Sequence, residues 1–310
     1  MSESAIATIY EAADLDPGPV HDPDAAHLVV DGNRVLGRNL VAGLTAEVDE
    51  QADGVRLVIR LAEATVLERP VHLCFGMSGD SGQQQIDLDV ELAPRAGAIF
   101  TAHCAFPFAR DVEHRMQADI RVGDHATYRY RERHVHGRTG GVLVVPRTRL
   151  RLGEGARVTT DFELLRGRVG EVDIDYRSTC GPDSVLEMDA RVDGRADDRI
   201  AIREVAGLEG ERARGVLTSR VAVRDRARAE IHNELTASAA GTSGHVDCKE
   251  IVTGEATASA VPIVLVQHPR AHVTHEAAVG SVDHKQLQTL MARGLDEDEA
   301  VALIIEGLLS

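Results

Sequence analysis

The chain has no tryptophan, and aromatic residues make up only 3% of it. A core without aromatic plugs must be built from Val, Ile, Leu and Ala, and thin aliphatic layers suit stacked β-coils better than a sandwich. Lysine is nearly missing as well: Lys249 and Lys285 are the only two, so arginine carries almost all the positive charge. The formal net charge is −16, which argues against nonspecific binding to DNA, RNA or anionic lipid. No run approaches the roughly 18 apolar residues of a membrane span. The opening "MSESAIATIYEAADLDPG" is acidic and lacks the apolar centre of an export signal, so a cytoplasmic location is expected. Cysteine is scarce: Cys74, Cys104, Cys180 and Cys248, with no CxxC pair. In a reducing compartment such thiols are mostly packing residues, with an occasional ligand or nucleophile.

What is present is alternation. Residues 1–27 read as a short helix, "ESAIATIYEAADL", and a Pro/Asp/His-rich link. From 28 to 280 the runs "GVRLVIRLAEATV", "QQIDLDVELA" and "RTRLRLGEGARVTTDFELL" alternate polar and apolar residues, the pattern of half-buried strands. Small-residue turns recur between them at Ala98, Ala126, Ala156, Ser184 and Ala213, about 28 to 30 residues apart. A period of this length predicts a mainly β protein, a parallel β-helix or solenoid whose coils each bury their apolar face on a neighbour. An evenly spaced β-sandwich is the alternative. Residues 281–310 turn helical: Leu287, Leu290 and Met291 have helical spacing and Gly294 stands where a helix ends. Asp296 and Glu299 form a capping-box pair before a stripe of Ala300, Leu303, Ile304 and Leu308. That hairpin either caps the coils or docks a partner.

"HVTHEAAVGS", His272 to Ser281, invites a zinc-protease reading, but its spacing matches neither HExxH nor HxxEH, and the preceding "PIVLVQHPRAHV" predicts a strand. Alone, His275 reads as a capped or buried histidine. Cys248 lies 28 residues before Glu276, close to one coil, so the two are expected to stack on neighbouring turns. Thiolate, imidazole and carboxylate together suit soft or borderline metals, iron with sulfide among them.

The segment from "GHVDCKEIV" to "EAVALIIEGLL" resembles the C-terminal core of the SufB/SufD family, the scaffold subunits of the SUF iron–sulfur cluster assembly system. The shared pattern is a cysteine-bearing strand, a proline-led strand, "HEA-x-x-G" and then "L-x-x-L-x-x-RG-[LI]-x-x-x-x-A". The resemblance implies a right-handed parallel β-helix over roughly residues 30 to 310. It also implies a cluster or sulfur site at Cys248, Glu276 and His275, holding a transient iron–sulfur cluster. Cys248 and Glu276 match the SufB-type subunit and His275 the SufD-type one, so all three on one chain imply a homodimer. The terminal helices, with Leu287, Leu290, Met291, Leu303 and Ile304, match the region that docks the SufC-type ABC ATPase. Downstream iron–sulfur apoproteins are the implied recipients. The family's long N-terminal extension, with its additional cysteine motif, has no counterpart here, so a role in receiving sulfur through it is not expected.

A second cluster, Cys74, Cys104, His103, His134 and His136, is a candidate metal or sulfur-relay site. His134 and His136 share a strand face like the paired histidines of a cupin, and His114 with Glu132 would complete such a set. A cupin-like or solenoid metalloenzyme is therefore the rival reading. Cys180, in "STCGPD", reads as a partly exposed turn residue. "GRTGG" and "GEGAR" lack the lysine and Ser/Thr of a P-loop, so the chain is expected to be a scaffold without its own ATPase activity.

Overall fold

The alternation is realised strand after strand. In the computed structural model, which describes residues 2–310, Val172, Ile174, Tyr176, Ser178 and Cys180 face inward along one strand, with polar or charged residues between them. Such a strand cannot hide its apolar face alone, so the chain crosses over and lays a second strand opposite it. Two sheets result, facing each other across a narrow bore.

The first sheet contains β1 (His27–Asp31), β2 (Arg34–Asn39), β5 (Val71–Gly76), β7 (Gly97–Phe106) and β9 (Thr127–His136). It continues through β11 (Arg157–Arg166), β13 (Val185–Gly194), β15 (Arg214–Val223), β17 (Ser243–Val252) and β19 (His272–Gly280). The second contains β3 (Leu44–Glu50), β4 (Val55–Leu61), β6 (Ser81–Leu92), β8 (Asp111–Val122) and β10 (Val142–Leu152). Its remaining strands are β12 (Glu171–Cys180), β14 (Arg199–Leu208), β16 (Arg228–Ala237) and β18 (Thr257–Val266). Apart from the first coil all pairings are parallel: Thr127 pairs with Arg157, Arg157 with Val185 and Val185 with Arg214, steps of 30, 28 and 29 residues. The chain is a parallel β-solenoid, and the sandwich alternative is set aside.

One corner of each coil needs a left-handed residue, supplied by Arg95, His125, Gly155, Asp183, Arg212 and Gly241. A small buried residue follows each: Ala96, Ala126, Ala156, Ser184, Ala213 and Thr242. Ala96, not the expected Ala98, starts this series. Its carbonyl accepts from Thr127 as that of Ala126 accepts from Arg157, whereas Ala98 lies inside β7. Apart from Tyr10 and Phe108, every aromatic residue lies in the bore between β5 and β12.

The two ends differ. At the N-terminal end β2 folds antiparallel onto β1 and β3 onto β4, while helix α1 (Ser2–Ala12) sets Ile9 and Tyr10 against Val29, Cys74, Ala105 and Val135. A one-turn helix, α2 (Gly18–His21), follows. At the other end β18 and β19 have a neighbour on one side only, and Val261, Leu265, Val266 and Val279 stand exposed there. An apolar sheet edge left open is what folded proteins ordinarily cover.

Two helices follow, α3 (His284–Met291) and α4 (Glu297–Leu309). The capping box of Asp296 and Glu299 forms as expected, and Gly294 is left-handed at φ 102°. α4 rests on the outside of the coils, with Ile305 and Leu309 on Ala222 and with Leu165, Ile251, Val301 and Leu308 around them. The inward stripe thus differs from the expected one: Leu303 is exposed and Ile304 half-buried, because Ile305 and Leu309 sit on the packed face.

Candidate functional site

β17 turns Val246, Cys248 and Glu250 into the bore. Beside Cys248 in register lies Ser219 of β15. From the facing sheet Asn233 of β16 donates its Nδ2–H to Cys248 Sγ at 3.7 Å and to Ser219 Oγ at 3.4 Å. Glu204 of β14 is the next residue in that ladder, between Asn233 and Tyr176. Burial pushes the Cys248 thiol up to about 11, with the Ser219 hydroxyl acting the other way. Burial also raises Glu204 to about 8 and Glu250 to about 7, with Asp189 and Asp247 respectively adding repulsion. Both carboxyl oxygens of Glu250, Oε2 of Glu204 and Oδ1 of Asn233 have no hydrogen-bond partner. Buried oxygens left bare around a sulfur call for protons or for a cation.

His275 and Glu276 part company. In the β17–β19 ladder Val246 pairs with His275, Asp247 with Glu276 and Cys248 with Ala277. His275 therefore shares the face of Cys248, whereas Glu276 shares the outer face of Asp247 and Lys249, whose Nζ lies 3.9 Å from Glu276 Oε1. The coil here is 29 residues long, and the 28-residue spacing of Cys248 and Glu276 misses it by one. Side chains alternate across a strand, so a one-residue offset changes the face. Within one chain the expected stacking of Cys248 on Glu276 does not occur. His275 and Glu276 are both exposed on the open edge.

The second cluster is also divided by parity. Cys74 pairs with His103 and Phe75 with Cys104, so Cys74 and His103 face outward, Cys74 beneath α1, while Cys104 faces the bore. Burial raises the Cys74 thiol to about 12 and lowers His103 to about 4. Cys104, His134 and His136 do meet in the bore, joined by Glu132, Tyr176 and His114. His134 Nε2 is 2.9 Å from Glu132 Oε1, Cys104 Sγ is 3.8 Å from the same oxygen, and Tyr176 donates to Glu132 Oε2 at 3.2 Å. One ligand atom from each of Cys104, Glu132 and His134 falls within 4.8 Å of the other two. Desolvation holds the Cys104 thiol well above its ordinary range, His114 well below, and His136 down at about 3. Cys180, expected in a partly exposed turn, is the buried last residue of β12; its inward parity makes it core.

The two sites lie on one line. Glu132, Phe162, Ala190, Ser219 and Cys248 are successive partners along the first sheet. Four strand spacings separate the ends, about 19 Å. Across the bore, Tyr176, Glu204 and Asn233 form a matching polar ladder. Glu204, Asn233, Ser219 and Glu250 were not anticipated from sequence, yet they carry a signal: each occupies an inward slot of an alternating strand. In "RIAIREVAGL" the inward residues are Ile200, Ile202, Glu204, Ala206 and Leu208, and only one is polar.

Fold and site together define a parallel β-solenoid protein with two thiol-bearing polar sites inside its bore. A family model described as "SUF system FeS cluster assembly, SufBD core domain" matches residues 76–308. An iron–sulfur cluster assembly SufBD family protein of Pyrococcus horikoshii is 36% identical over 305 residues, 98% of this chain and 93% of the relative. Another, of Methanocaldococcus jannaschii, is 34% identical over 282 residues, 91% of this chain and 89% of the relative. The chain belongs to the SufBD family of iron–sulfur cluster assembly proteins.

Proposed function

We propose that this chain is a scaffold on which iron and sulfide are gathered into a cluster at an interface between two copies. The observation that carries the reading is the setting of Cys248: a thiol in the bore, one coil from the open end, beside carboxyl and amide oxygens that have no partner. Thiolate with oxygen and imidazole donors is a mixed set for iron, and mixed ligation keeps a cluster transferable. Pairing the open β18 and β19 edges with those of a second copy covers Val261, Leu265, Val266 and Val279 and brings both copies of His275 and Glu276 to the seam. Met291 and Leu303, exposed beside half-buried Leu287, Leu290 and Ile304, leave apolar surface on the helical hairpin for a SufC-type ATPase. ATP hydrolysis belongs to that partner, and recipients are iron–sulfur apoproteins. The rival metalloenzyme reading is disfavoured by access: His114, His134 and His136 are at most 5% exposed and leave a substrate no way in.

The test is anaerobic reconstitution after co-expression with a SufC-type ATPase. Iron–sulfur absorption is expected per dimer, reduced at least tenfold by Cys248→Ala and more weakly by Glu250→Gln. Full absorption in Cys248→Ala would sink the reading.

A further inference from the structure

We propose that Cys104, Glu132 and His134 form a second, permanent binding site for one divalent transition-metal ion of the zinc or ferrous class, held inside the solenoid. The proposal does not depend on the role of Cys248.

The hydrogen bonds dictate where protons can sit. His136 Nδ1 lies 3.1 Å from the Arg168 carbonyl and 3.2 Å from that of Val169, and carbonyls only accept, so Nδ1 carries the hydrogen. The second nitrogen of this neutral ring, Nε2, is then an acceptor, and it faces His134 Nδ1 at 3.3 Å. His134 must donate there, which leaves its Nε2 pointing at Glu132 Oε1. A bare imidazole lone pair facing a carboxylate oxygen is repulsive unless a cation lies between or beside them.

A proton would meet that need, but the surroundings are those of a metal. Ligands at about 2.0–2.3 Å from one tetrahedral ion lie roughly 3.3–3.7 Å from each other. The observed 2.9 Å from His134 to Glu132 and 3.8 Å from Cys104 to Glu132 bracket that range. Metal-binding histidines donate their other N–H, and metal-binding carboxylates are themselves hydrogen-bonded. His134 donates its Nδ1–H to His136 Nε2, and Glu132 accepts from the Tyr176 hydroxyl. A further donor waits nearby. Gln84 gives its amide hydrogens to the carbonyls of Gly32 and Gly76, so its oxygen faces His114 Nδ1 at 2.8 Å and makes that nitrogen the donor. His114 Nε2 is then a lone pair without partner, fully buried, on a ring 6.0 Å from that of His134. On binding, the Cys104 thiol proton and any proton between His134 and Glu132 leave to solvent.

The experiment uses the full chain carrying Cys248→Ala, refolded without oxygen in the presence of cobalt(II). One cobalt per chain is expected, with tetrahedral d–d bands and a thiolate-to-cobalt charge-transfer band. Cys104→Ser should remove the charge-transfer band, and Tyr176→Phe should weaken binding by about tenfold or more. Should the serine variant fail to fold, X-ray absorption on the cobalt of the parent protein serves instead, where one sulfur neighbour is expected. No bound cobalt, unchanged bands in Cys104→Ser, or a sulfur-free cobalt shell overturns the proposal. Full iron–sulfur absorption after reconstitution of Cys248→Ala, with cobalt binding intact, would refute the proposed function and leave this site standing.

Discussion

Replacing Glu204 by Gln should remove most of a pH-dependent loss of stability. Glu204 is 2% exposed, and burial, with a smaller contribution from Asp189, raises its carboxyl from 4.5 to about 8. Below pH 4.5 the folded and unfolded chains both hold the proton. Between there and about pH 8 only the folded chain keeps it, so stability falls as pH rises and levels off above. At about 1.4 kcal/mol per pH unit the whole descent is roughly 5 kcal/mol. Glutamine has the same shape and cannot ionise, so the variant should lack this slope. Urea denaturation at pH 5 and pH 9, with metal chelated, measures it as a difference between the chains: Glu250 and the buried histidines titrate alike in both, so on going from pH 5 to pH 9 the parent should lose about 4 kcal/mol relative to Glu204→Gln. Parallel pH profiles would refute the reasoning, because they would mean that the carboxylate finds solvent or a partner inside the bore.

The terminal hairpin separates packing from docking. Ile305→Ala should cost about 2–4 kcal/mol, read as a lowered Tm, by opening a cavity against Ala222. Leu303→Asp, on the exposed face, should leave Tm nearly unchanged and abolish co-elution with a SufC-type ATPase. At the open end, Val266→Lys with Val279→Lys should leave the circular dichroism unaltered and turn a dimer into a monomer by light scattering; a dimer that survives both lysines places the seam elsewhere. At a coil corner, Gly141→Ala should destabilise strongly, since its Cβ would lie 2.1 Å from the Arg110 carbonyl oxygen.

Much of this protein was legible along the chain because a solenoid is nearly one-dimensional. The small buried residue after each left-handed corner recurs at almost constant spacing, and strand alternation names the inward face without knowledge of long-range contacts. The Asp296 capping box is equally local. Failure came where a single residue of register mattered. Cys74 and Cys104 belong to one candidate cluster in the sequence, yet Cys104 pairs with Phe75 and Cys74 faces α1. A coil length read only to within two residues stacks Glu276 on Cys248, and the actual length turns it outward. Polar residues in inward slots, Glu204 and Asn233 above all, were legible in principle but carry meaning only once the facing sheet is in place.

By itself, then, the sequence determined the coil, its period, the charged exterior, the aliphatic filling and the helical tail, all set by neighbours within one turn of chain. Only tertiary structure decided which thiols share a space with which carboxyls. That choice depends on registry between strands some thirty residues apart and between two sheets, where one residue of offset exchanges inside for outside.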